Sequence, residues 1–235
     1  MSALLAPPLP FGWLALAVAL AWLASPAMSA PAPPATATIA LPAPQRTGSM
    51  PLERALAERH SVREFAPAPL ALAEVGQLLW AAQGTNRPDG RRTAPSAGAT
   101  YPLELWLLAG RVDGLPPGLY RYEPGTHRLR AIDGRDRRAA LAAAAHGQDW
   151  VAAAPAVVVV AAVPARTAAR YGERAERYVS IEVGHAAENL CLQAVALGLG
   201  TVPVGAFADR DVERLLGMPA GEHPRLLLPV GRPRS

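Results

Sequence analysis

Arg59, Ser61 and Arg63 are the residues whose types and spacing most directly suggest binding chemistry. In an extended segment, residues two apart point to the same side, so the two guanidinium groups and the hydroxyl group would face one way. Arginine donates paired, charge-assisted hydrogen bonds to phosphate and carboxylate groups, which suits an anion-binding role. The spacing alone is equally compatible with two solvated arginines at the end of a helix.

Two further segments are rich in small residues, which let a backbone approach a flat ligand closely. Residues 94–102 have the sequence Ala-Pro-Ser-Ala-Gly-Ala-Thr-Tyr-Pro, in which Gly98 can adopt dihedral angles that other residues avoid. Residues 198–207 have the sequence Gly-Leu-Gly-Thr-Val-Pro-Val-Gly-Ala-Phe. This second segment follows a predicted helix and lacks Gly-Lys-Ser/Thr, so it is neither a dinucleotide fingerprint nor a P-loop. Taken singly, each segment is also compatible with an ordinary turn.

A charged stretch with two tyrosines covers residues 170–178. Tyr171 in this stretch is a candidate general acid, because a phenol can donate a proton in a suitable site. A cluster of surface ion pairs is the alternative interpretation. No two histidines of the chain have the close spacing of a zinc-binding helix motif, so the sequence predicts no metal site.

The composition argues against several other classes of protein. Hydrophobic residues make up 51% of the 235 residues, which is enough for a sizeable core. All basic residues are arginines, and they are scattered with a net charge of only +4, which argues against nucleic-acid binding. Cys191 is the only cysteine, so neither an intrachain disulfide nor a cysteine-rich zinc site can form. Its place on the apolar side of a predicted helix favours a small buried hydrophobe.

Hydrophobic periodicity predicts helices and strands that are mixed without regular alternation. The predicted helices cover residues 51–59, 70–83, 137–145, 178–197 and 209–216, of which the fourth is the longest. The predicted strands cover residues 103–109, 118–123, 127–132, 156–163 and 225–230, with the second and third joined as a hairpin. This order predicts an α+β fold in which helices pack on a central sheet.

The first fifty residues are predicted to lie outside this domain, which would span residues 51–235. Residues 9–23 are apolar and uncharged, with the length of a signal-peptide core rather than of a membrane span. No Lys or Arg precedes them, which is atypical of a signal peptide. We expect residues 1–30 to be a signal peptide or membrane anchor. The alternative is that the start codon was assigned too far upstream and that the protein is a cytoplasmic enzyme. Residues 31–50 are rich in Pro, Ala and Thr, which predicts an extended linker.

Taken together, these segments resemble the nitroreductase superfamily, and more closely its SagB-type dehydrogenase branch. The matching pieces, in chain order, are residues 59–65, 78–84, 92–104, 118–122, 171–174, 177–178, 184–185, 189–190, 198–207 and 229–233. Each piece is weak by itself, but their order and spacing extend over nearly the whole domain. The resemblance therefore favours the binding interpretation of the first three segments over the alternatives.

The resemblance implies a nitroreductase fold with a central mixed or antiparallel sheet and a long core helix. It also implies a homodimer that holds FMN at the subunit interface. The residues that match contacts to the phosphate, the ribityl chain and the edge of the flavin ring are Arg59, Ser61 and Arg63, with Arg232 as a second phosphate contact. The residues that match the lining and backbone cover of the ring are Pro95, Ser96, Ala97, Gly98, Pro203, Val204 and Gly205.

Two positions depart from the family pattern. Ala99 stands where many nitroreductases have an asparagine that bonds the flavin. Arg170 precedes Tyr171 where azole-forming members of the SagB branch have a lysine, and arginine is a poor general base because it stays protonated. Tyr171 remains the candidate catalytic residue, but these departures weaken the prediction of peptide azoline oxidation.

The resemblance implies an FMN-dependent oxidoreductase in which the flavin transfers hydride. One predicted substrate is a peptide or other natural product that is oxidised. The other predicted substrate is a nitro compound or a quinone, which would be reduced with NAD(P)H as electron donor. The alternative from another class is a non-catalytic flavin- or ligand-binding module at the cell surface, which the N-terminal segment and the two departures from the family pattern suggest.

Overall fold

The computed structural model describes residues 37–234. The expected signal peptide or membrane anchor over residues 1–30 lies outside the described residues, as does the first part of the expected linker. Within residues 37–234, no helix has both the length and the hydropathy that a membrane crossing requires.

The described part of the chain contains nine strands, seven helices and two short 3-10 turns, at Ala97–Ala99 and Gly172–Arg174. The strands are β1 (Thr38–Ala40), β2 (Leu70–Ala71), β3 (Leu103–Ala109), β4 (Val112–Asp113), β5 (Gly118–Glu123), β6 (Arg128–Asp133), β7 (Ala156–Ala162), β8 (Gly200–Thr201) and β9 (His223–Gly231). The helices are α1 (Leu52–Glu58), α2 (Leu72–Gln83), α3 (Arg138–Ala144), α4 (Asp149–Ala153), α5 (Pro164–Tyr171), α6 (Ala175–Ala196) and α7 (Asp209–Leu216).

Seven of the strands form one central sheet in the order β1-β6-β5-β3-β7-β9-β8. Every neighbouring pair in this sheet is antiparallel. β7 lies between β3 and β9, and its sequence Ala-Val-Val-Val-Val-Ala-Ala is buried at every position. A continuous run of β-branched residues suits such a strand because both of its faces are covered. β2 and β4 form a separate parallel pair.

Helices cover both faces of the sheet, so the core has two parts. α2 and α6 pack on one face, against alternate residues of β3 that include Leu105 and Leu107. α3, α4 and α7 pack on the other face, against Trp106 and Leu108. This alternation follows from the two-residue period of a strand. The arrangement confirms the predicted α+β class and the predicted sheet flanked by helices.

The longest helix, α6, has 22 residues and contributes to the core on the α2 side of the sheet. Its buried positions include Val179, Val183, Ala186 and Leu190, at steps of three and four residues. The prediction of a long core helix is therefore confirmed, although the helix begins at Ala175 rather than at residue 178.

Part of the segment that the composition assigned to a linker, residues 31–50, is instead a strand of the sheet. Thr38–Ala40 pairs with β6, and Leu41 is 8% exposed. Farther along, Gln45 exchanges two backbone-to-side-chain hydrogen bonds with Gln77 of α2. The linker prediction is wrong for these residues because β6 offers an edge whose unpaired backbone groups bind a short strand of almost any composition.

Helix α5 was not predicted, although it carries two residues that the sequence had singled out. Its sequence, Pro-Ala-Arg-Thr-Ala-Ala-Arg-Tyr, contains no large aliphatic side chain that would mark a core-facing stripe, and its one buried residue is Thr167. Pro164 occupies the first helical turn, where its missing N–H is tolerated. The helix matters because it ends with Arg170 and Tyr171, which it brings to the loop described below.

Candidate functional site

The loop between α2 and β3 has an unusual backbone and forms one side of the candidate site. Gly98, Ala99 and Tyr101 have φ angles of 58°, 54° and 47°, which only glycine adopts easily. Such strain costs about 1–3 kcal/mol for each non-glycine residue and persists only where surrounding contacts enforce it, often at functional sites. One such contact is the hydrogen bond that Tyr101 N–H donates to the hydroxyl oxygen of Ser96 at 2.9 Å.

The C-terminal end of α5 contacts this loop through Arg170 and Tyr171. The guanidinium group of Arg170 donates to the carbonyl oxygen of Gly98 at 3.2 Å. A Cβ atom on Gly98 would lie 2.7 Å from the Tyr171 hydroxyl oxygen, so the close approach and the positive φ both require glycine. Tyr171 also packs edge-to-face on Tyr178, with ring centroids 4.9 Å apart. The structure therefore brings the predicted catalytic residue to the predicted loop of residues 95–98.

Glu182 of α6 lies behind the same loop and was not predicted as a site residue. It is 2% exposed, and burial raises its pKa to about 7, although a hydrogen bond from Ser96 and the charge of Arg92 act in the lowering direction. Its carboxyl oxygen Oε1 has no hydrogen-bond partner within residues 37–234. The sequence offered one signal for this residue, since Glu182 stands next to Val183 on the apolar face of a core helix. Buried acidic groups are rare unless they are paired, so an acidic residue at such a position suggests a functional site.

Arg92 connects the loop to the core. One of its guanidinium nitrogens donates to Gln83 Oε1 at 2.7 Å and to Leu103 O at 3.2 Å. The guanidinium carbon lies 4.7 Å from the ring centroid of Tyr101. Burial lowers the pKa of Arg92, although two nearby glutamates act in the raising direction. The loop is therefore flanked by one partly buried cation and one buried acid.

A cavity of about 260 Å³ opens between this loop and α6. The residues that line it include Pro95, Ser96 and Ala97 from the loop and Tyr178, Glu182 and His185 from the helix. Small side chains on one wall suit a flat apolar ligand, and polar groups on the other wall suit hydrogen bonds to its edge.

The segment that contains Arg59, Ser61 and Arg63 is extended rather than the end of a helix, and it lies beside β8. Ser61 pairs with Thr201 in a parallel bridge, and Val62 N–H donates to Thr201 O at 3.0 Å. Val62 is buried, whereas Ser61 and Arg63 are exposed. The hydroxyl group and one guanidinium group are therefore accessible to a ligand on the same side of the segment.

The two arginines of this segment have different partners. Arg59 Nε lies 3.5 Å from Glu188 Oε1 of α6, and both side chains are more than a third exposed. The guanidinium carbon of Arg63 lies 5.7 Å from the ring centroid of Trp150. Exposed contacts of this kind contribute about 0–1 kcal/mol, so both arginines can exchange them for a bound anion.

A second cavity, of about 180 Å³, lies beside Arg59 and Gly200 and is bordered by Cys191. Cys191 is 2% exposed, and burial raises the pKa of its thiol group to about 12. The prediction of a small buried hydrophobe at this position is confirmed, because the thiolate that would react or bind metal is disfavoured.

The segment Pro203–Gly205 begins two residues after the end of β8. Val204 is buried, and its N–H and C=O groups are both bonded to Leu227, at 2.8 and 2.9 Å. Pro203 and Gly205 on either side of it are exposed. These two residues, rather than Val204, therefore provide the accessible backbone of this segment.

Arg232 lies near the segment that contains Arg59, since its carbonyl oxygen accepts a hydrogen bond from Ala66 N–H at 2.9 Å. Its Nη2 atom bonds the carboxylate of Glu74 at 2.9 and 3.2 Å. The same carboxylate accepts the N–H of Ala71 at the start of α2. Arg232 can bind an anion while it stays paired with Glu74, because its other guanidinium N–H groups remain available.

The predicted site residues thus fall into two clusters that both border α6. We call residues 95–98 with Tyr171 the loop cluster, and Arg59, Ser61, Arg63, Pro203–Gly205 and Arg232 the arginine cluster. Glu182 contacts the loop cluster and Glu188 contacts Arg59, which places these contacts about 9 Å apart along the helix axis. Within residues 37–234, no three His, Cys, Asp or Glu side chains lie close enough to hold a metal ion.

The fold and these two clusters define a protein suited to a flat ligand with an anionic end. The sequence profile of the nitroreductase family matches residues 56–232. A Methanocaldococcus jannaschii protein, provisionally named a nitroreductase, is 46% identical over 181 residues, which is 77% of this chain and 90% of the relative. The crystal structure of a Ralstonia eutropha protein with the same provisional name has a TM-score of 0.75 at 35% identity, over 84% of this chain and 90% of that chain.

This chain therefore belongs to the nitroreductase family, a family of oxidoreductases. The predicted superfamily and fold are confirmed, and the SagB-type branch stays a prediction. The Escherichia coli microcin synthetase McbBCD complex with truncated pro-MccB17 bound has a TM-score of 0.68 at 21% identity, over 76% of this chain and 70% of that chain. That likeness shows a shared fold alone.

Proposed function

We propose that this chain is an FMN-dependent oxidoreductase that transfers hydride between two substrates through bound FMN. The observation that carries the proposal is the exposed pair Ser61 and Arg63, on an extended segment beside β8, in a chain of this family. Bound flavin supplies the hydride chemistry, and the protein supplies binding, orientation and exclusion of water.

The residues of both clusters fit FMN. Arg59, Ser61 and Arg63 offer charge-assisted donors for the phosphate, the ribityl chain and the edge of the ring, and Arg232 offers a second phosphate contact. The small residues of the loop cluster and of Pro203–Gly205 leave room for a planar ring against the backbone. The unpartnered oxygen of Glu182 and the strained loop beside it are the features expected of a wall that is shaped for a ligand.

Tyr171 is the residue that we propose for proton handling. Its hydroxyl group lies beside Gly98, and hence beside the wall that would contact the ring. A phenol in such a position can hold or donate a proton at its hydroxyl oxygen. Arg170 remains protonated and is bonded to the carbonyl oxygen of Gly98, so its role is to position the loop rather than to act as a base.

Two substrate classes are compatible with this site. Reduction of a nitro compound or quinone by NAD(P)H is favoured by Arg170, which occupies the position of the lysine expected in azole-forming members and is bonded to the loop. Oxidation of a peptide or other natural product is favoured by the order of the SagB-like motifs.

We propose a homodimer with the flavin at the subunit interface. Three large apolar side chains are exposed on two helices that pack together, namely Leu52 and Leu56 on α1, at 60% and 54%, and Ile181 on α6, at 49%. Exposed large apolar side chains often mark a surface that another protein covers, and a second copy of the chain would bury them. Wild-type protein should sediment as a dimer and the variant Leu52→Glu/Leu56→Glu as a monomer; a wild-type monomer contradicts the proposal.

We further propose that residues 1–30 direct export or membrane attachment. This proposal rests on the uncharged apolar run of residues 9–23. Sequencing the N-terminus of the mature protein should show cleavage after the apolar run or retention of it in a membrane fraction. A soluble protein whose chain begins downstream of this run without processing contradicts the proposal.

Stopped-flow spectroscopy tests the proposed reaction. Protein loaded with FMN should lose its flavin absorbance on mixing with NADPH and regain it with a quinone, and Tyr171→Phe should slow the acceptor step by about a hundredfold. Protein that takes up no FMN contradicts the proposal. Protein that holds FMN but turns over with no donor–acceptor pair would instead support the non-catalytic module, while oxidation of a peptide without any response to NADPH or NADH would support the natural-product substrate.

A further inference from the structure

Glu182 is a buried ionisable group that the proposed reaction does not use. It is 2% exposed and lies in the cavity wall opposite the loop of residues 95–98. Its Oε1 atom has no hydrogen-bond partner within residues 37–234, and burying an unpaired polar atom costs about 1–3 kcal/mol. An apolar residue at this position of α6 would avoid that cost, so the carboxyl group calls for a functional explanation.

Ser96 joins Glu182 to the strained loop. Its hydroxyl group and the Glu182 carboxyl group line the same cavity, and hydrogen bonding from this hydroxyl group acts to lower the pKa of Glu182. The Ser96 hydroxyl oxygen also accepts the Tyr101 N–H at 2.9 Å. Its carbonyl oxygen accepts the N–H of Ala99 at 3.0 Å. Ser96 therefore holds both of the loop residues that have a positive φ without being glycine. A change in the charge of Glu182 therefore reaches the loop backbone through Ser96, while Arg92, whose charge acts on Glu182, contacts the loop at the Tyr101 ring.

We propose that Glu182 is a positioning residue whose ionisation, acting through the Ser96 hydroxyl group, sets how firmly residues 95–98 are held to bind flavin. The inference rests on the proposed FMN site and adds proton dependence to it. An ionised carboxylate accepts a charge-assisted hydrogen bond, which is about twice as strong as a neutral one. With Glu182 ionised, the loop is held in its binding geometry; with Glu182 neutral, the loop loses part of that restraint and flavin binds less tightly.

The surroundings of Glu182 place its ionisation near neutral pH. Burial raises its pKa to about 7, and the hydrogen bond from Ser96 and the charge of Arg92 keep it from rising further. The other charged or titratable groups around the loop and the cavity come from the loop itself, β3, α5 and α6: Tyr101, Glu104, Arg166, Arg170, Tyr171, Tyr178 and His185. Because histidine side chains in general ionise near neutral pH, His185 needs its own control.

Fluorescence titration with FMN between about pH 5.5 and about pH 8.5 tests the inference. Wild-type protein should bind FMN about fivefold more tightly at the upper pH than at the lower, after correction for the titration of the FMN phosphate with riboflavin as a second probe. Glu182→Gln should reduce this ratio to less than about twofold. Ser96→Ala should do the same, and it serves as the test if Glu182→Gln does not fold.

Two variants serve as matched controls. Glu176→Gln removes an exposed carboxylate of the same helix that pairs with Arg225, away from the loop, and should retain the wild-type pH response. His185→Gln removes the histidine of the cavity wall and should also retain it. Loss of the response in His185→Gln, with retention in Glu182→Gln, would overturn the inference.

Infrared spectroscopy of flavin-free protein supplies a readout that does not depend on turnover. A protonated carboxyl band should disappear as the pH rises through about 7 and should be absent from Glu182→Gln. Because coupling between two bound ligands is reciprocal, FMN should shift the loss of this band to lower pH. Wild-type protein that takes up no FMN overturns the proposed function and this inference with it. Wild-type protein that binds FMN with a pH response that Glu182→Gln retains overturns the inference alone.

Discussion

The two clusters that border α6 differ in how the chain holds them. The loop cluster is fixed by buried polar groups and carries backbone strain. The arginine cluster is fixed by backbone pairing beside β8, and its charged side chains are partly or fully exposed, with Arg59 paired to Glu188 and Arg232 to Glu74. The first is organised before any ligand arrives, whereas the long side chains of the second must be ordered on binding. Shape and charge therefore come from different parts of the chain, and salt, pH and substitutions should affect them differently.

The largest effect is expected from removing the charges of the arginine cluster. Arg59→Ala/Arg63→Ala should weaken FMN binding by about a hundredfold at low salt, because hydrogen bonds to charged groups each contribute about 1.5–3 kcal/mol. The loss should shrink as salt screens the wild-type interaction. Fluorescence titration at two ionic strengths measures it, with Arg214→Ala as the control because Arg214 is exposed and paired on α7. If the loss is small or does not depend on salt, the charges of this cluster do not contribute to FMN binding.

The next effect concerns the buried acid behind the loop cluster and is measured without flavin. Burial raises the folded-state pKa of Glu182 from 4.5 to about 7, so the folded state favours the protonated form. Stability is therefore fully present below pH 4.5 and is lost as the pH rises toward 7, by about 3 kcal/mol in total. Urea unfolding across this window should show the decline in wild-type protein and a flatter profile in Glu182→Gln.

The pH range in which stability changes distinguishes Glu182 from the ionic groups on the opposite side of the sheet. Hydrogen bonds from Arg135 and Arg137 lower the pKa of Asp133, so its contribution to stability is lost only at pH values below the ordinary range of aspartate. Glu176→Gln, on an exposed part of α6, should keep the wild-type profile. If the free energy of unfolding of wild-type protein stays level or rises between pH 4.5 and 7, the raised pKa of Glu182 is contradicted.

The sequence predicted the two clusters unequally, for a physical reason. Ser61 and Arg63 were found because alternation in an extended segment is a local property. Glu182 was missed because its partner Ser96 is distant in the chain, and only packing of α6 against the loop joins them. Strand β1 was missed for a similar reason, since the edge of β6 rather than the composition of residues 38–40 determines it.

A smaller effect is expected from filling the close contact in the loop cluster. Gly98→Ala places a methyl group 2.7 Å from the Tyr171 hydroxyl oxygen and 2.9 Å from Cδ of Arg170, at a φ of 58°. FMN and riboflavin should both bind about tenfold more weakly, because strain of this kind costs about 1–2 kcal/mol. Gly98→Ala/Tyr171→Phe should recover part of the loss. If the double variant recovers no flavin binding, the strain comes from the backbone conformation at residue 98 and not from the contact with the Tyr171 hydroxyl group.

The smallest effect is expected at the ion pair between Arg59 and Glu188. Glu188→Gln should change the free energy of unfolding by less than about 0.5 kcal/mol, because both side chains are more than a third exposed. It should tighten FMN binding by less than about threefold, since Arg59 no longer has to give up a carboxylate. Denaturant unfolding and FMN titration measure the two quantities. Weaker FMN binding in this variant would mean that Glu188 holds Arg59 in its binding position.

The comparison of FMN with riboflavin tests the central claim most directly, because the two ligands share the ring and differ in the phosphate. Wild-type protein should bind FMN more tightly than riboflavin. Arg59→Ala/Arg63→Ala should reduce that preference strongly, leaving only the part that Arg232 supplies, whereas Gly98→Ala should weaken both ligands equally and preserve it. Protein that binds neither ligand, or that shows the same preference in every variant, would contradict a flavin site in which the arginine cluster binds the phosphate and the loop cluster binds the ring.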